Sequence, residues 1–209
     1  MADILIDNQA FPSTPAASKS VIFVDSTTKK LALTDDAGIV RGSLSRNAST
    51  ASQALGTGDT YVTNSGLLIP SVGMKAGQLY KWTISLSKTA GGTAAAVVTI
   101  RTGANQSTAD TSRLALTQTF AQSAQVCGGI MFVFFGVRNV SATGVIAGAF
   151  GFTQTYGNTA AFQGLGSGID GVGASFDNSA MAGLYVGLSI NAGAASAWTT
   201  THVDAELVG

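Results

Sequence analysis

Charge is what this sequence most conspicuously lacks. Asp, Glu, Lys and Arg make up 11% of its 209 residues, against roughly 25% in an ordinary soluble domain. Glutamate occurs only as Glu206, so the solvated Glu/Lys face of a surface helix cannot be built. The 11 Lys and Arg balance the 11 Asp and Glu. They are scattered rather than clustered, which argues against a phosphate backbone as ligand, and no nucleic acid partner is expected.

Other reactive residues are scarce too. Cys127 is the single cysteine, which excludes an intramolecular disulfide and a cysteine-rich metal site. It precedes Gly128-Gly129 with no basic neighbour in sequence and reads as a small buried hydrophobe. His202 is the single histidine, so a catalytic triad would have to be built around it; beside Asp204, it reads as an outward or interface residue. Asp35-Asp36, with Asp25, lacks the alternating ligand pattern of a calcium loop and reads as a turn. No two carboxylates stand out as a glycosidase pair. Gly164-Leu165-Gly166-Ser167-Gly168 lacks the lysine and the helix of a phosphate loop. Catalytic residues, cofactor and metal are all expected to be none, and the chain is read as non-enzymatic. The longest apolar run, Gly128 to Val137, falls well short of the ~20 residues that span a membrane. Asp3 and Asp7 interrupt a start without a basic region, so no signal peptide is expected.

Glycine is abundant, at 26 residues, and the mean hydropathy is +0.32. A chain this poor in charge is expected to hide surface against copies of itself or other partners. Strand-like runs recur along it, separated by Gly, Ser, Asn and Asp turns. In Tyr80-Lys81-Trp82-Thr83-Ile84-Ser85-Leu86 the apolar residues fall on alternate positions, the period of a strand with one buried face. The closing run alternates likewise, placing Thr199, Thr201, Val203, Ala205 and Leu207 opposite Trp198, His202, Asp204 and Glu206. Ile130-Met131-Phe132-Val133-Phe134-Phe135 is apolar on both faces, as in a strand buried on both sides, centrally or at a subunit boundary. No segment carries the caps and charged face of an amphipathic helix.

The expectation is therefore all-β: an antiparallel β-sandwich, jelly-roll-like, over residues 45–209. Residues 1–44 precede it as an extended N-terminal arm and small β-meander, built from Val21–Asp25, Leu31–Thr34 and Ile39–Arg41. Pro12 and Pro15 keep the arm extended. A meander this small cannot bury a core of its own, so it is expected to lie on another protein. The stretch from Thr153 to Ala180, rich in glycine, reads as one long loop.

The order Val21-Ile22-Phe23-Val24-Asp25-Ser26-Thr27-Thr28-Lys29-Lys30-Leu31-Ala32-Leu33, then Asp35-Asp36-Ala37-Gly38, resembles a module near the start of bacteriophage appendage and decoration proteins. Gly58 to Pro70, Met74 to Trp82 and Trp198 to Leu207 are similar to the β-sandwich domains of such proteins. The resemblance implies a virion structural protein, made in the host bacterial cytoplasm and carrying no catalytic residues. It implies a homotrimer, either a head decoration protein or a head fibre held on the major capsid protein. A tail fibre, collar or receptor-binding protein contacting host surface glycan is the alternative. On this reading Phe11, Val21, Phe23, Leu31 and Leu33 serve attachment, and Ile130, Phe132, Phe134 and Phe135 serve the subunit interface. Tyr156, Phe162 and Phe176 form a candidate glycan shelf, or else packing anchors for the loop.

Overall fold

The computed structural model describes residues 8–9, 14–19, 21–25, 31–34, 40–41, 46–70, 73–119, 121–122, 124–157, 169–194 and 196–208. Its elements are all strands. The first four are β1 (Asn8–Gln9), β2 (Val21–Asp25), β3 (Leu31–Thr34) and β4 (Val40–Arg41). They form a sheet of their own in that order, with β1 parallel to β2 and the other pairs antiparallel.

The remaining strands build two further sheets. They are β5 (Arg46–Ser49), β6 (Gln53–Leu55), β7 (Thr60–Tyr61), β8 (Leu67–Leu68), β9 (Leu79–Lys88) and β10 (Val97–Gly103). These are followed by β11 (Thr111–Thr117), β12 (Cys127–Val137), β13 (Ile146–Gly157), β14 (Ile169–Val172), β15 (Tyr185–Asn191) and β16 (Trp198–Val208). A seven-stranded sheet runs β14-β13-β12-β9-β16-β5, with β6 also on β16. A five-stranded sheet runs β11-β10-β15-β7, with β8 also on β15. All pairings within these two sheets are antiparallel, and the sheets pack into a β-sandwich.

The pairings nest. β10 pairs β11, β9 pairs β12, β7 and β8 pair β15, and β5 and β6 pair β16. The chain thus behaves as one long antiparallel hairpin rolled across two sheets, with β13 and β14 added at one edge.

Alternation explains the core. Tyr80, Trp82, Ile84 and Leu86 of β9 all point between the sheets, with 0–3% exposure. Met131, Val133, Phe135 and Val137 of β12 join them from the neighbouring strand, and Val186, Leu188 and Ile190 of β15 face them from the other sheet. Tyr80 stacks on Phe135 with ring centroids 5.2 Å apart. Each such side chain contributes about 1.5–3 kcal/mol by leaving water. The polar tips of the tryptophans are satisfied: Trp82 Nε1 donates to the Ser65 carbonyl at 2.7 Å, and Trp198 Nε1 to Gln122 Oε1 at 3.0 Å. Gln122 in turn donates to the Ala94 and Ala192 carbonyls, both at 2.7 Å, pinning two loops over the core.

Two expectations need correction. In β16 the ladder to β9 shifts between Thr200 and His202, leaving Thr201 as an extra, exposed residue. This bulge reverses the phase, so Trp198 and Thr200 lie buried on the same side as Val203, Ala205 and Leu207. Trp198 is therefore not on the face of His202, Asp204 and Glu206. Nor is Thr153 to Ala180 a single loop. β13 continues to Gly157, β14 pairs back onto Ala147–Phe150, and Gly144 bridges Phe176. Glycine permits this: a Cβ at Gly171 would come 3.1 Å from Leu116, and one at Gly173 would come 2.7 Å from the Arg113 carbonyl. Small residues let β14 settle against β11 and close that edge of the sandwich.

Candidate interaction surfaces

The outward face of the seven-stranded sheet divides into an apolar and a polar half. The same alternation that sends Met131, Val133 and Phe135 inward turns Ile130, Phe132 and Phe134 of β12 outward, where they remain partly exposed. Beside them on β13, Gly151 pairs Phe132 and Ala149 pairs Phe134. With no bulky side chains there, a shallow hollow of about 330 Å³ opens, lined by Phe132, Phe134, Ala149 and Gly151 with Phe150 and Phe152. Its lining offers no side-chain hydrogen-bonding group.

On the other side of β12 the surface turns polar. Lys81 of β9 stands opposite Phe134 and reaches Glu206 at 3.0 Å. Arg46 makes a bidentate pair with Asp204, both contacts 2.9 Å. Arg46 holds the Asp204 carboxyl below its ordinary range, mainly through that hydrogen bond. His202 lies in the same row, partly exposed and opposite Ser85.

The interface residues expected from sequence thus separate. Ile130, Phe132 and Phe134 share the outward face. Phe135 does not: it is 0% exposed in the core, because successive residues of a strand point to opposite faces. Of the attachment residues, Val21 is half-buried and Phe23 fully buried, while Ile22 between them is 58% exposed. Phe23 is not part of the sandwich's core cluster. Leu31 and Leu33 lie in β3, paired with Val24 and Ile22; Phe11 lies outside the described residues.

Of the three residues of the expected glycan shelf, only the side chain of Phe176 is among those described. Phe176 packs against the core under the Arg113 guanidinium, 4.1 Å from its ring centroid. That guanidinium is placed by a bulge between β10 and β11, where it also donates to Thr102 at 2.7 Å. Phe150 and Phe152 meet edge to face, and Phe152 meets Trp198 the same way. Tyr156 falls in β13, and Phe162 lies outside the described residues. Compared with known proteins, the chain matches no family model and no curated sequence.

Sequence reasoning missed a second hollow, of about 500 Å³, between residues 59–64 and residues 106–108. Asp59 in its lining is held by Arg101, whose guanidinium pairs with it and donates to Ser189 Oγ at 2.7 Å. Arg101 also donates to the Thr108 and Asp110 carbonyls at 3.1 and 2.7 Å. Asp110 accepts from the Asn105 amide at 3.0 Å and from the Ser107 amide at 3.4 Å, fixing the loop. Tyr61 lies over Gly187, where any Cβ would collide with its phenol oxygen; burial pushes its pKa up to about 12. Asp59, Asn64 and Thr108 sit in turn-rich stretches, where turn chemistry accounts for such residues without a site. Only the pairing of β7 and β10 with β15 brings them together.

Among the described residues no group of three His, Cys, Asp or Glu could hold a metal ion. Cys127 and Lys88 pair across β12 and β9, both 0% exposed. Burial raises the thiol pKa and lowers that of the ammonium, and Lys88 donates to the Ala90 carbonyl at 2.8 Å. No described helix is long and apolar enough to cross a membrane.

Proposed function

We propose that this chain is a non-enzymatic structural protein of a bacteriophage virion, a homotrimeric head decoration protein or head fibre attached to the capsid through residues 1–44. The observation that carries the reading is the outward row Ile130, Phe132 and Phe134 beside Ala149 and Gly151. An apolar strip of this kind on a chain with 11% charged residues is best covered by another copy. The ion pairs Lys81–Glu206 and Arg46–Asp204 flank the strip as a polar rim would. The nested pairing supports the finer reading of the sandwich as a jelly roll, the eight-stranded double Greek key used by capsid proteins. A separate small sheet ahead of the sandwich suits an attachment element, and the sequence resemblance points the same way.

Sedimentation of the full chain, together with immunogold labelling of virions, tests this reading. A trimer in solution and many labels over the head are expected. A monodisperse monomer would refute the assembly, and label confined to the tail would favour the receptor-binding alternative. That alternative has one observation of its own, the polar hollow beside Asp59.

A further inference from the structure

We propose that the hollow between residues 59–64 and 106–108 is a binding site for a neutral pyranose sugar. The proposal concerns this site alone and does not depend on where in a virion the chain resides.

Size is the first argument. At about 500 Å³ the hollow falls within the range of small-ligand sites. Chemistry is the second. Its lining is made of hydroxyl, amide and carboxylate side chains with one aromatic wall, Tyr61, and none of the described lining residues is Lys, Arg or His. Arg101 lies close by, but its guanidinium is engaged by Asp59, Ser189 and two carbonyls, so it offers an anion little. A calcium ion needs six to eight oxygen ligands, several of them carboxylates; here Asp59 is the one carboxylate in the lining. A polyhydroxyl ligand fits what remains. Asn64 and Gln106 each present a planar group with two polar atoms, which can engage two adjacent hydroxyls of a sugar at once, and Asp59 adds the oxygen that Arg101 does not hold.

Placement is the third argument. Three described non-glycine residues have positive φ, and two of them, Asn64 at 60° and Gln106 at 50°, line this hollow. Glycine would hold that backbone with less strain. Asparagine visits that conformation routinely, but glutamine does not, so Gln106 is the one that points to a use for its amide there. Arg101 fixes Asp59 from below, so the carboxylate is oriented before any ligand arrives. The Tyr61 phenol oxygen is buried over Gly187, so Tyr61 serves the hollow as an apolar wall only.

The test is an amide-resonance titration of the full chain with glucose, galactose, mannose and N-acetylglucosamine, and with purified bacterial surface polysaccharide. Saturable shifts at residues 59–64 and 106–108 with at least one sugar are expected. Tighter binding of the polymer than of its monosaccharide would assign the ligand to a surface glycan, and equal affinity to free sugar. Asp59→Asn and Thr108→Ala should each weaken binding by about tenfold, while Thr201→Ala, on another face, should leave it unchanged. Thermal melts establish that each variant is folded; should Asp59→Asn disturb the Arg101 pairing, Thr108→Ala carries the test. Absence of saturable shifts with every sugar and with the polymer would overturn the proposal. So would affinities unchanged in a folded Thr108→Ala.

Discussion

Phe134 and Phe135 are adjacent in β12 and stand on opposite sides of the same sheet. Phe134 faces outward opposite Lys81, while Phe135 stacks on Tyr80 in the core. One peptide bond separates a residue available to a partner from one that holds the fold together.

Substitution should separate those roles. Phe135→Ala removes a buried ring and is expected to destabilise the fold by about 3–5 kcal/mol. Phe134→Asp places a carboxylate on the outward face near Lys81, so the chain should fold with only a small loss of stability. It should nevertheless fail to self-associate. Urea unfolding and sedimentation, run on both variants, check the pair. A Phe134→Asp protein that still assembles would remove this face from the interface.

Tyr80 Oη is buried with no hydrogen-bond partner among the described residues. An unsatisfied buried hydroxyl costs about 1–3 kcal/mol. Tyr80→Phe, which keeps the stacking on Phe135, is accordingly expected to be neutral or stabilising in thermal melts.

Alkaline pH should destabilise the protein. Burial raises the pKa of both Tyr61, to about 12, and Tyr80, further still. In the unfolded chain both ionise near 10, so above that pH the unfolded state binds fewer protons than the folded one. Stability is therefore full below about pH 10 and falls as pH rises through the folded values. Urea melts between neutral pH and pH 11 should show the fall, and it should be smaller in Tyr80→Phe.

Gly193 has φ of 90°, and a Cβ there would collide with the Ala94 carbonyl oxygen. Gly193→Ala meets both a disfavoured backbone conformation and a backbone clash. A loss of at least about 2 kcal/mol is expected. Gly58→Ala is the control, since a Cβ there meets nothing within 4 Å.

Removing residues 1–44 should leave the sandwich folded, because its core cluster begins at Leu55. The truncated chain is expected to keep a cooperative melt and to lose attachment to particles. Full occupancy on virions without the arm would rule out the arm as anchor.

Much of this architecture is written in local pattern. The alternation of Tyr80, Trp82, Ile84 and Leu86 specifies both a strand and its buried face, because the side-chain period of two is a property of the backbone itself. The runs that became β9, β12 and β16 carry enough β-branched and aromatic residues to be recognised alone. The scarcity of charge and reactive side chains likewise shapes the functional reading without any structure.

What tertiary structure decided is of a different kind. Arg46-Asn47-Ala48-Ser49 has no apolar alternation, yet it is a strand because Val203 to Glu206 offers it a ladder. The bulge at Thr201 turns Trp198 inward, since Trp198 is placed by the core above it rather than by the phase of Val203 and Leu207. β14 forms in a glycine-rich stretch where close backbone approach, not side-chain preference, fixes the pairing. The hollow beside Asp59 exists only once β7 and β10 have both docked on β15, which brings together residues more than forty positions apart in the chain. Hydrogen-bonding partners and neighbouring volume are supplied by distant segments, and a local pattern holds no record of them.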